Sequence, residues 1–129
     1  MSLENLWGEL PKTGTTRTPL VILREQAALF GEMTNRILEA SVYAQMIASP
    51  SRFIADLNII APTLNHYRIT IAQIKYDLTK TYPVELVDTL AGVTHIVDTE
   101  EEFNRALESI LNSEKVQRVI SSLLLQIGQ

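Results

Sequence analysis

The stretch FIADLNIIAPTLNHYRITIAQIKYDL, from Phe53 to Leu78, decides the fold class. Phe53, Ala55, Leu57 and Ile59 are apolar throughout and alternate with Ile54, Asp56, Asn58 and Ile60, a half-polar set. A period of two is the mark of a strand with one face in a core. Pro62-Thr63-Leu64-Asn65-His66 breaks the pattern. Pro presets φ for a turn, and Asn tolerates turn geometry and bonds its own backbone. Alternation resumes with Tyr67, Ile69 and Ile71 on one face and Arg68, Thr70 and Ala72 on the other. Two strands and a short turn predict a β-hairpin.

Patterning also predicts the register, because a slip of one residue exchanges the two faces of a strand. An odd loop of three or five residues keeps the apolar sets together. With Ala61 opposite Tyr67, Ile59 meets Ile69 and Leu57 meets Ile71. After Ala72 the apolar parity moves to Ile74, Tyr76 and Leu78, which predicts a bulge near Ala72–Gln73. The competing reading is a helix, since Leu64, Tyr67, Ile71, Ile74 and Leu78 also fit helical spacing. The β-branched residues between Tyr67 and Ile71, and the need of the preceding strand for a partner, favour the hairpin.

Outward from the hairpin, Val42, Ala44, Met46 and Ala48 alternate with Ser41, Tyr43, Gln45 and Ile47, so Ser41 to Ser49 reads as a strand. Tyr82 to Val87 reads as a short strand. Val93 to Val97 is extended, either paired or loop. The middle of the chain is thus an antiparallel meander of four or five strands. Before it, Thr18-Pro19 starts a helix with an N-cap and a Pro at the first helical position. Its predicted apolar face is Leu20, Leu23, Ala27, Phe30, Thr34 and Ile37, with Gly31 inside it as a candidate for close packing. After the meander, Thr99 and Glu102 form a capping box, with Glu100 and Glu101 at the positive helix start. Phe103, Ala106, Leu107, Ile110 and Leu111 give that helix its stripe. Ser113 caps a last helix whose stripe is Val116, Val119, Ile120, Leu123, Leu124 and Ile127, ended by Gly128. The expected class is α+β, with one N-terminal helix, the meander, and two C-terminal helices packed on the sheet.

The chain has 129 residues, 46% apolar and 20% charged. That suits one domain, here residues 18–129, preceded by an extended arm of residues 1–17. In the arm only Leu6 and Trp7 are strong anchors. A large aromatic is expected to tuck against the domain's own core, the alternative being an arm that docks on a partner. The net charge of −4 and eleven scattered Lys and Arg residues argue against a nucleic-acid surface. The absence of cysteine removes disulfides, thiolate metal sites and Cys catalysis. No apolar run approaches the roughly 20 residues needed to span a bilayer, and the start lacks a signal-peptide pattern. A cytoplasmic location is expected.

The segments TPLVILREQAALFGEMTNRIL, APTLNHYRITIAQIKYDLTKTYPVEL and TEEEFNRALESILNSEKVQRVISSLL together resemble a group of small bacterial proteins with no assigned activity. The resemblance covers most of the chain from Thr18 onward. It implies one bacterial domain and carries over no functional residue.

Catalytic signatures are scarce. There is no Walker loop, dinucleotide fingerprint, HExxH or nucleophile elbow. His66 and His95 could in principle join Asp98 or Asp56 around a metal, but no pair has a diagnostic spacing. Glu100, Glu101 and Glu102 fan around a helix start and do not make a hydrolytic pair across a cleft. Lys75, Asp77 and Lys80, and Lys115 and Arg118, read as solvated charges. No catalytic residue, cofactor or metal is therefore assigned.

One surface stands out. The hairpin face opposite its core set carries Ile54, Asp56, Asn58 and Ile60, with Arg68 and Thr70 across from them. An antiparallel sheet with helices on one side leaves its other side to water or to a partner. Isoleucine mixed with hydrogen-bonding groups suits association. The leading expectation is a non-catalytic protein that binds another protein or itself through this face, as a homodimer or a regulatory module. The alternative is a small-ligand binder or enzyme with a pocket between sheet and helices, using His66, Arg68 and Tyr76.

Overall fold

The computed structural model describes residues 4–11, 17–47 and 52–128. In chain order the elements are α1 (Pro19–Met33), β1 (Glu39–Ile47), β2 (Arg52–Ala61), β3 (Tyr67–Asp77), β4 (Val84–Asp88), β5 (Val93–Val97), α2 (Glu100–Leu111) and α3 (Glu114–Ile127). The strands form one antiparallel sheet in the order β1-β2-β3-β4-β5, a plain meander. The expected α+β class is what the chain adopts. Val93 to Val97 is a paired strand, with Leu86 opposite His95. The first strand begins at Glu39, two residues before the predicted Ser41. Ala48 and Ser49 lie outside the described residues.

The hairpin of β2 and β3 has the five-residue loop that patterning requires. Ala61 pairs with Tyr67, Ile60 with Arg68, Ile59 with Ile69 and Asn58 with Thr70. Asn65 and His66 both take left-handed φ, 57° and 55°, which closes the turn. The pairing of Leu57 with Ile71 does not occur. Leu57 faces Ala72, and the register shifts between Leu57 and Asn58, so Ile71 is the extra residue. The bulge thus lies just before the predicted Ala72–Gln73. Its physical reason is burial: Ile71 and Ala72 are both within the core, and an unbulged strand would turn one of them outward. Beyond the bulge, Ile74 and Tyr76 stay on the core side, as the parity change demands.

The helices rest on one face of the sheet. Leu23 and Ala27 of α1, Phe103, Leu107 and Ile110 of α2, and Val116 and Leu123 of α3 form a single cluster with Ala55, Leu57, Ile59, Ile74 and Leu86. Thr18 caps α1 by accepting from the Val21 amide at 3.2 Å, and Ser113 caps α3 by accepting from Val116 at 3.3 Å. Thr99 accepts from Glu102 at 3.1 Å, while the Glu102 carboxylate accepts from the Asp98 amide at 2.7 Å. The capping box therefore closes one residue earlier than its usual N-cap amide.

Two expectations for α1 are corrected. Ile22 and Leu38 are buried, whereas Ile37 is exposed. The helix ends at Met33, and Asn35 and Arg36 take left-handed φ, so helical spacing no longer governs residues 37 and 38. Gly31 is not a close-packing site. A Cβ there would meet only the end of the Arg36 side chain, at 3.4 Å. The arm differs as well. Trp7 is 83% exposed and touches no core; its amide donates to the Asn5 carbonyl oxygen Oδ1 in a local turn. No helix among the described residues is long and apolar enough to cross a membrane.

Candidate functional site: the uncovered face of the sheet

Strand pairing places every predicted interaction residue on the side away from the helices. Ile54, Asp56, Asn58 and Ile60 come from β2, Arg68 and Thr70 from β3. Register adds residues that the hairpin alone did not reveal. Tyr43 lies beside Asp56 and Gln45 beside Ile54. Gln73 lies on the other flank of Asp56, and Lys75 beside Ile54. Val87 and Glu85 continue the rows on β4, and Ile96 on β5. Tyr43 was legible, since it belongs to the set alternating with Val42 and Ala44. Gln73, Lys75 and the β4–β5 residues needed the position of the bulge and the strand order.

The six predicted residues fall into two groups. Asn58 is buried, and Thr70 donates its hydroxyl to Asn58 Oδ1 at 2.5 Å. Gln73 donates Nε2 to Asp56 Oδ1 at 2.7 Å. These bonds satisfy polar groups that the crowded centre of the sheet half removes from water. Asn58, Thr70 and Asp56 are thus engaged within the sheet. Ile54 and Ile60 are half-buried and face outward, and Arg68 is exposed and takes no part in the ion pairs of the described residues. Arg52 and Glu85 pair at 3.4 Å across this face. Both signs of charge are therefore interspersed on it.

The alternative constellation is not assembled. His66 is exposed in the hairpin turn, and Arg68 is on the outer face. Tyr76 is on the helical face, buried against Phe53 with ring centroids 5.4 Å apart. Arg68 and Tyr76 would share a face in a regular strand, but the bulge at Ile71 puts them on opposite sides. Burial raises the Tyr76 phenol above its ordinary value, against a smaller lowering by Arg24. Burial also raises Tyr82, with Glu100 and Tyr76 adding to it, and the buried Tyr82 hydroxyl has no hydrogen-bond partner among the described residues. Asp77 is lowered by the hydroxyl and amide of Thr79, a local turn at the end of β3. Among the described residues, no three His, Asp or Glu side chains gather where a metal could sit.

The helical side does hold a cleft, of about 350 Å³, between α1 and α3 over the sheet. Phe30 and Met33 form one wall, Ile120 the other, and Leu57, Ile59 and Ile71 the floor. None of His66, Arg68 and Tyr76 lines it.

Comparison of the chain with protein-family models, with curated proteins and with solved structures gives no match.

Proposed function

We propose that this chain is a small, non-catalytic bacterial module of the cytoplasm that works by holding a protein on the outer face of its sheet, regulating or neutralising what it holds. The occupant is another protein or a second copy of the chain. The observation that carries the reading is the uncovered face itself. The sheet buries one side under three helices and, among the described residues, carries no helix on the other. That open side offers Ile54 and Ile60 amid polar groups already bonded to one another. A partner can cover the isoleucines without stranding Asn58 or Asp56, which removes much of the desolvation cost of binding. Arg68, opposite Ile60, supplies a charge able to fix orientation.

The test is capture from lysate on immobilised protein, comparing wild type with Ile54→Asp and Ile60→Asp. A partner held by wild type and lost by both variants, with circular dichroism unchanged, supports the reading. Retention of the same partner by both variants would remove the face from the interaction.

A second reading is favoured by the α1–α3 cleft. Its apolar floor and walls suit a small hydrophobic ligand, with Gln26 and Gln117 as the polar groups at hand. Protection of Met33 from mild oxidation on adding such a ligand would support it.

A further inference from the structure

A sheet has edges as well as faces, and the two edges here differ. β5 is five residues long, and β1 is nine. Natural edge strands are blunted by shortness, by Lys or Pro, by bulges or by a covering element. β1 has none of the first three. Its sequence, EASVYAQMI, has one charge, at its first residue, and no Pro, Gly, Lys or Arg. It pairs with β2 in unbroken register from Glu39–Ile60 to Ile47–Arg52. No residue of it is buried, and Tyr43 is 57% exposed. Every second residue of such a strand turns its amide and carbonyl away from β2, and among the described residues no strand pairs with that edge.

We infer that β1 pairs with β1 of a second copy, antiparallel about a two-fold axis, joining two sheets into one of ten strands. This interface is distinct from the face proposed above and does not depend on it. The strand is suited to itself. In the register of full overlap, Tyr43 meets its own counterpart on the axis. Val42 then lies opposite Ala44 of the second copy, and Ala40 opposite Met46, on the helical side. Ser41 lies opposite Gln45 on the outer side. The two faces stay matched, as a two-fold axis perpendicular to the sheet requires. The only formal charge, Glu39, falls at the ends, opposite Ile47, so no like charges meet. Nine overlapping residues give roughly eight to ten main-chain hydrogen bonds. That equals the complement of a typical stable interface, about ten.

The chain has no cysteine, so one introduced cysteine reports cleanly. In sedimentation at tens of micromolar, the wild type should be a dimer. Tyr43→Cys should link into a covalent dimer under mild oxidation, because directly opposed residues lie within disulfide reach. Gln73→Cys, on the sheet face, should not. Tyr43→Phe should stay dimeric. Tyr43→Lys places two cations on the axis and should be monomeric with an unchanged circular dichroism spectrum. Amides on alternate residues of β1 should exchange slowly in the wild type and at least tenfold faster in Tyr43→Lys. A wild type that stays monomeric at high concentration overturns the inference. So does a dimer that survives Tyr43→Lys but is broken by Ile54→Asp; that outcome moves the contact to the sheet face and leaves the proposed function standing.

Discussion

Ile59 and Ile60 are neighbours of the same type on one strand, yet one is 1% exposed and the other half-buried. They stand for the two faces of the sheet. The Ile59 side lies under α1, α2 and α3 and is mostly apolar, with buried Asp88 opposite Ala72 as an exception. Among the described residues the Ile60 side has no helix over it, and its polar residues bond across strands. The difference teaches that strand alternation divides residues into two sets, while burial is assigned by what packs on each set. The outer face is ordered by hydrogen bonds between side chains and the inner one by packing.

The largest contrast is a pair of alanine substitutions. Ile59→Ala should cost roughly 2–5 kcal/mol, as other large-to-small core changes do. Ile60→Ala should cost about 1 kcal/mol or less, since its side chain is only partly withdrawn from water. Denaturation midpoints measure both. Equal losses would mean that the outer face is also core, and would break the comparison.

α3 repeats the contrast on a helix. Leu123 is 8% exposed and Leu124 38%. Leu123→Ala should lower stability by about 2–3 kcal/mol and Leu124→Ala by less than about 1 kcal/mol. If neither lowers the midpoint, α3 does not pack as described.

The tyrosines of the helical side sharpen the comparison through pH. Tyr76 and Tyr82 are both raised above their ordinary value, chiefly by burial. Their neutral forms are the ones the fold favours. The associated stability is therefore present below the unfolded value, near pH 10, and is lost as pH rises through the folded values. Ultraviolet titration should show these two ionising above the ordinary tyrosine range. Tyr82→Phe removes a buried hydroxyl that has no partner among the described residues and should raise stability by about 1 kcal/mol.

Smaller still is Gly31→Ala. The added methyl meets only the flexible end of Arg36, so the gain in helix propensity should appear as roughly 0.5–1 kcal/mol. A loss would mean that Arg36 cannot yield. The smallest effect is at the arm: the emission of Trp7, the only tryptophan, should be water-like and unmoved by Ile59→Ala.

Much of the fold was legible because its signals are local. The alternation of β2, the odd loop from Pro62 to His66, and the capping residues Thr18, Thr99 and Ser113 all act within a few residues of themselves. Backbone sterics and cap hydrogen bonds are short-range, so the sequence alone determined the hairpin, the helix starts and the two-sided character of the sheet. The predicted interaction residues could be placed on one face for the same reason. Tertiary structure decided the rest. The bulge sits at Ile71 because Ile71 and Ala72 both fill space under the helices, and no local rule chooses which residue is the extra one. That choice separated Arg68 from Tyr76 and dissolved the alternative site. It likewise took packing across strands to bury Asn58 against Thr70 and to leave Trp7 without a core contact. Burial depends on groups distant in sequence, and their arrival is set by how helices and strands stack.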